Sequence, residues 1–235
     1  MNKKSSPNVP SESPLLRGAF RVRYLGVRAI PGLALYRLLS LFFHYRATRC
    51  VWADLEQWRP VSGKKVSFEI RRLTAEEIRS QMERTGEDLE GVEQALRDGA
   101  EAFGALRGAS IASSLWVSPH PPALNGEFAL EFDDRLAYFY RAFTLPEFRG
   151  LGLMPAVLQA ALESCVLRGY RGAVSCIDVA NRPSWRAFRS AGFKTIATFR
   201  YAKVFGKHLI YPSRSQKSPR FRVQQLAEKN TPGPS

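Results

Sequence analysis

From Ser62 onward, segments whose apolar residues repeat every second position alternate with segments where they repeat at three and four. Those are the periods of strands and helices interleaved in one domain. Val66–Arg72 alternates as a strand. Thr74-Ala75-Glu76-Glu77 is a capping box: the Thr74 hydroxyl can accept from a free helical N–H while Glu77 reaches back, so a helix opens there. A second helical stretch, Glu87–Arg97, ends at Gly99. Phe103–Arg107 and Ser110–Val117 read as a hairpin turning at Gly108-Ala109, and Ser118–Glu131 as a loop. Leu136–Thr144 (LAYFYRAFT), aromatic and apolar with few breakers, predicts a strand. After Leu145–Gly152, the positions Met154, Val157, Leu158, Ala161, Leu162, Cys165 and Val166 fall on one helical face, closed by Arg168 and Gly169. A strand (Ala173–Val179), a short helix (Ser184–Ser190) and a hairpin-like pair (Lys194–Phe205, Lys207–Tyr211) follow.

Outside this region the pattern changes. Residues 1–14, rich in Ser, Pro and Lys, read as a disordered tail, and 213–235 as a disordered basic one. Residues 15–61 form a basic extension containing a segment apolar on nearly every helical face, Gly32–Tyr45, with Pro31 placed to open it. Such a helix either packs on the domain of residues 62–212 or lies on a membrane surface, where the seven arginines between Leu15 and Ala53 would meet anionic lipid.

Charge sharpens that division. The chain of 235 residues has a net charge of +14. Residues 1–50 hold nine Lys/Arg against Glu12, and residues 202–235 hold seven against Glu228, while 51–201 hold nineteen of each sign. The neutral middle gives no reason to invoke nucleic acid. An anionic membrane surface or an acidic acyl carrier protein remain the partners that residues 15–50 could meet. Three cysteines without C-x-x-C spacing and three scattered histidines predict neither a disulfide framework nor a metal site. With no spanning-length apolar run and no signal-like start, the expected location is cytoplasmic, with peripheral membrane contact open.

The segment Phe148-Arg149-Gly150-Leu151-Gly152-Leu153-Met154 follows a strand and opens a helix, which makes an anion site. Glycines let a phosphate approach the backbone, first-turn N–H groups lack intrahelical partners, and Arg149 adds charge. Pro155 is tolerated because the first turn does not need its N–H. Downstream lie Asn181, Ser184, Phe188 and Gly192-Phe193, in NRPSWRAFRSAGF. The first segment resembles the R-x-x-G-x-G/A pyrophosphate loop of the GNAT acyltransferase superfamily, and the second its closing N-x-x-A/S-x-x-x-Y-x-x-x-G-F signature. The resemblance covers about Val66–Tyr211.

The resemblance implies an α/β (α+β) fold: a mixed, mostly antiparallel twisted sheet flanked by helices, with strands parting around the pantetheine of acetyl-CoA or another acyl-CoA. It further implies that backbone groups of Ala142, Phe143 and Thr144 pair with the pantetheine amides and that an N–H there stabilises the oxyanion. Arg149, Gly150, Leu151, Gly152, Leu153 and Met154 would hold the pyrophosphate, and Asn181 would sit beside the pantetheine arm. The implied activity is N-acyl transfer, of an acetyl group to an amine, by direct attack on the thioester. A longer-chain acyltransferase fed by a carrier protein and a non-catalytic coenzyme A-binding protein are the alternatives.

Two residues depart from the pattern. Met154 replaces a small residue but keeps its backbone N–H. Phe188 replaces the frequent tyrosine acid and cannot donate a proton; it also reads as an ordinary core aromatic. A thiol with a pKa of ~8.5 leaves with little help, and a missing acid slows rather than stops transfer. Ser184, Tyr140 or Tyr201 could substitute for it. Asp178 and Glu131 are base candidates, each also readable as a solvated or turn-capping carboxylate. Cys176, in an apolar strand, reads as packing.

Overall fold

The computed structural model describes residues 44–60, 66–85, 89–120, 128–204, 207–212 and 221–225. Its elements are β1 (His44–Asp54), β2 (Glu69–Arg72), α1 (Ala75–Thr85), α2 (Leu89–Arg97), β3 (Glu101–Arg107), β4 (Ser110–Ser118), β5 (Phe128–Phe132) and β6 (Leu136–Thr144). After them come α3 (Leu153–Leu167), β7 (Gly172–Asp178), α4 (Arg182–Ser190), β8 (Lys194–Val204), β9 (Lys207–Pro212) and β10 (Phe221–Gln225). Eight strands form one sheet in the order β2-β3-β4-β6-β7-β1-β8-β9. All its neighbours are antiparallel except β6 and β7. This is the mixed, mostly antiparallel sheet flanked by helices that the resemblance implies.

Each face of the sheet buries its own core. On one face, Leu153, Val157, Leu158 and Leu162 of α3 and Phe188 of α4 pack against Val51, Phe139 and Ile177. On the other, Ile78 and Met82 of α1 and Val92 of α2 pack against Leu106 and Trp116. The capping box forms as predicted: Glu77 N donates to Thr74 Oγ1 at 3.2 Å and Thr74 N donates to Glu77 Oε2 at 2.9 Å. Arg71 locks the same carboxylate with two further bonds, of 2.7 and 2.8 Å.

The structure corrects three expectations. Residues 44–54 belong to the sheet rather than to an extension: β1 pairs with β7 from Thr48↔Asp178 to Asp54↔Gly172 and with β8 from His44↔Lys203 to Trp52↔Lys194. The apolar helix expected over Gly32–Tyr45 therefore cannot include His44 and Tyr45, which are strand; its remainder lies outside the described residues. The loop expected over Ser118–Glu131 ends in β5, which pairs with β10, so the C-terminal tail contains a strand. A local reading misses both because each strand's partner lies far along the chain. The tail expected over residues 1–14 also lies outside the described residues. Among the described residues, no helix is long and apolar enough to cross a membrane.

Candidate active site

β6 and β7 are hydrogen-bonded only from Leu136↔Gly172 to Phe139↔Ser175. Beyond that point β6 runs on to Thr144 and β7 to Asp178 without pairing to each other, so the two strands part. β4 holds the far side of β6 as far as Ser113↔Thr144. The end of β6 is fastened by buried Ser113: Thr144 Oγ1 lies 2.8 Å from Ser113 Oγ, which donates to the Phe143 carbonyl at 3.0 Å. Leu145 N adds a bond to the Ala112 carbonyl at 2.9 Å. The edge of β6 over Ala142, Phe143 and Thr144 that faces away from β4 thus borders the opening.

From there the chain turns through Pro146–Phe148, and the Phe148 ring meets Phe68 edge-on at 5.6 Å. Arg149 Nε donates to the Thr144 carbonyl at 3.2 Å, tying the loop to the end of β6. Gly150 and Gly152 have φ of 84° and 78°, a region that side chains with a Cβ avoid. A Cβ built at either glycine would meet nothing within 4 Å, so the glycines leave open space along the loop. Gly152 caps α3 and accepts from Ala156 N at 3.3 Å. The N–H groups of Leu153 and Met154 precede that bond and have no intrahelical carbonyl to reach. Leu151, between the two glycines, is half-exposed. Open space, orphan donors and a helix N-terminus fit a pyrophosphate.

β7 ends on the opposite side of the opening. Asp178 is half-buried, and its Oδ1 accepts from Ala180 N at 2.8 Å, so one carboxylate oxygen serves the turn into α4. Asn181 caps α4, its Oδ1 accepting from Ser184 N at 3.1 Å. Asp178, Asn181 and Ser184 therefore share one tight corner at the end of β7. Phe188 is 1% exposed, edge-on to Phe193 at 4.9 Å, and is a core side chain as its alternative reading has it.

Tyr140 and Tyr138 lie on β6 on the α1/α2 side. Tyr140 tilts against Trp116 at 6.0 Å and stacks on Tyr138 at 5.9 Å. Burial pushes the Tyr140 phenol up, partly offset by Arg141, so it keeps its proton at neutral pH. Glu131 lies in β5 opposite Arg222 of β10, away from the parted strands in the pairing order, and Tyr201 lies in β8 opposite Arg46. Cys50 and Cys176 face each other across β1 and β7 with their sulfurs 3.3 Å apart. That contact and burial hold the Cys50 thiol well above the usual range. Among the described residues, no group of three or more His, Cys, Asp or Glu could hold a metal ion.

Arg141 and Trp116 escape a sequence reading, because only the fold shows where β6 bulges. Arg141 has φ of 49°, and the β4–β6 register shifts between Ser114 and Trp116.

A family model for the acetyltransferase (GNAT) family matches residues 69–193, which include the loop, the parted strands and the Asn181–Phe193 segment. Solved structures are similar to this chain at low identity. A GNAT-family acetyltransferase of Novosphingobium aromaticivorans is 18% identical, with a TM-score of 0.46, over 73% of this chain and 66% of that one. A glucosamine N-acetyltransferase region of a fungal multi-domain β-N-acetylglucosaminidase is 13% identical, with a TM-score of 0.50, over 78% of this chain and 23% of that one. The aminoglycoside N-acetyltransferase AAC(6')-Iy, solved with CoA, is 21% identical, with a TM-score of 0.42, over 54% of this chain and 91% of that one. This chain thus spans just under two thirds of the length of the first of these. No curated protein matches it. With its family model covering more than half the chain and the parted strands and glycine loop in place, this chain belongs to the acetyltransferase (GNAT) family.

Proposed function

We propose that the protein is an N-acyltransferase that moves an acetyl group from acetyl-CoA to an amine by direct attack. The observation that carries this reading is the loop at Gly150 and Gly152, open to a phosphate and adjoining the gap between β6 and β7. In this reading the N–H groups of Leu151 to Met154 bind the pyrophosphate. The edge of β6 at Ala142–Thr144 pairs with the pantetheine and directs an N–H at the thioester oxygen, a contribution of roughly 3 kcal/mol to the barrier. Asn181 flanks the arm. The amine nitrogen bonds to the thioester carbon, the C–S bond breaks, and the thiolate leaves. The amine proton passes to Asp178, at the end of β7 beside the opening, rather than to Glu131 in the separate β5–β10 sheet, and Tyr140 or Ser184 can protonate the thiolate.

The structural neighbour named as a glucosamine N-acetyltransferase region suggests amines as the acceptor class, no further. The test is incubation with acetyl-CoA and a panel of primary amines, reading free thiol and the acceptor mass together. A mass gain of one acetyl group matched by one thiol released supports the reading. Coenzyme A binding without transfer to any amine leaves the non-catalytic alternative instead.

A further inference from the structure

Phe139 packs into the α3 core and Tyr140 against the α1/α2 core, as alternation along a strand requires. Ala142, which should share the Tyr140 face, packs with the α3 core instead. Arg141 is therefore the extra residue of a bulge, and its guanidinium lies 5.8 Å from the centre of the Trp116 ring, on the α1/α2 side with Tyr140. The cofactor loop leads into α3, on the other face. A bulged arginine at positive φ costs conformational energy, and such residues gather where a side chain must be aimed. Arg141 is exposed. Arg141 is in none of the ion pairs of the described residues, as is also true of arginines such as Arg49 and Arg182; its positive φ and its place over Trp116 set it apart. Buried Trp116 lies within cation–π range of the guanidinium and leaves its charge unneutralised.

We infer that Arg141 binds the acceptor, and that the acceptor is an amine also carrying an anionic group, a carboxylate or a phosphate. This rests on the acyltransferase reading: an amine entering from the α1/α2 side, opposite the cofactor loop, passes Arg141 before it reaches the parted strands. A guanidinium fork matches either anion in two-point fashion.

The test pairs each anionic acceptor with its neutral counterpart under acetyl-CoA saturation: amino acids against their amides, and phosphoethanolamine against ethanolamine. The full-length protein, Arg141→Gly and Arg141→Lys are compared. Glycine accepts the positive φ, so Arg141→Gly should keep the thermal midpoint. The wild type should favour one anionic series, and that series identifies carboxylate or phosphate. Arg141→Gly should raise KM for the favoured anion roughly ten- to a hundredfold, the range of a charged hydrogen bond. KM for the neutral partner and for acetyl-CoA should stay put, and Arg141→Lys should recover part of the loss. Neutral acceptors used as well as anionic ones, or equal losses on both in Arg141→Gly, would overturn the inference while leaving the acyltransferase reading intact. Failure to bind acetyl-CoA would remove that reading, and this inference with it.

Discussion

At residue 188, where the family often has a tyrosine, a phenyl ring 1% exposed lies against Phe193 within the α3/α4 core. Its first duty is packing. Phe188→Ala should cost ~3–5 kcal/mol of stability, and Phe188→Leu a smaller amount, about 1 kcal/mol. Turnover per folded molecule should survive in the leucine variant, as denaturant melts and initial rates measured together would check. A leucine variant with unchanged stability and no turnover would instead give the ring a catalytic role. Gly172 faces a different constraint. A Cβ there would lie 2.5 Å from Trp52 Nε1 and 2.8 Å from Leu136 Cδ2, at the start of the β6–β7 ladder. Gly172→Ala should destabilise by ~1–3 kcal/mol through overpacking, read from the urea midpoint. At this scale the sequence was informative where chemistry is local. Gly150 and Gly152 are legible from their place between a strand and a helix, because a turn needs only neighbouring residues, and Asn181 is legible through the family resemblance. Arg141 was not, since its place above Trp116 depends on a register shift between two strands.

Among the elements, β6, α3 and α4 lie within a residue or two of their sequence-based bounds, because periodicity and caps are written locally. The Thr74/Glu77 box is the sharpest case. Hydrogen bonds from Arg71, then from Thr74 N, hold the Glu77 carboxyl down at about 2. A carboxylate lowered on folding stabilises the protein above its unfolded pKa of ~4.3 and loses that contribution as pH falls toward 2. Glu77→Gln should therefore flatten the acid limb of the melting-temperature profile between those values and leave its shape above pH 6 unchanged. Thr74→Ala should cost about 1 kcal/mol at neutral pH by removing the cap. β1 and β10 were not legible. HYRATRCVWAD follows directly on an apolar run of helical appearance, and FRVQQ is mostly polar; each becomes a strand through partners elsewhere in the chain. Because β1 is the shared neighbour of β7 and β8, a chain truncated to begin at Val61 should not fold. Its backbone amides should exchange fast and it should aggregate. A cooperative melt from that truncated chain would contradict the assigned place of β1.

Across the whole molecule, the sheet is one continuous surface except where β6 and β7 separate, and the glycine loop and the α4 corner converge on that separation. Each arises independently: the loop from glycines at positive φ, the corner from Asp178 and Asn181 caps, and the opening from the end of the β6–β7 ladder. Of residues 15–50, for which an anionic membrane or a carrier protein is expected as partner, 15–43 lie outside the described residues, so the central claim rests on the opening alone. Calorimetric titration of coenzyme A into the wild type and Gly152→Asp tests it most directly. Aspartate visits the left-handed region more readily than most residues, and the space at Gly152 is open, so the variant should keep its melting temperature within a few degrees. Its carboxylate would stand among the orphan N–H groups and repel the pyrophosphate. The predicted result is saturable binding to the wild type and none to the folded variant; equal affinity in both would contradict the assignment of the loop.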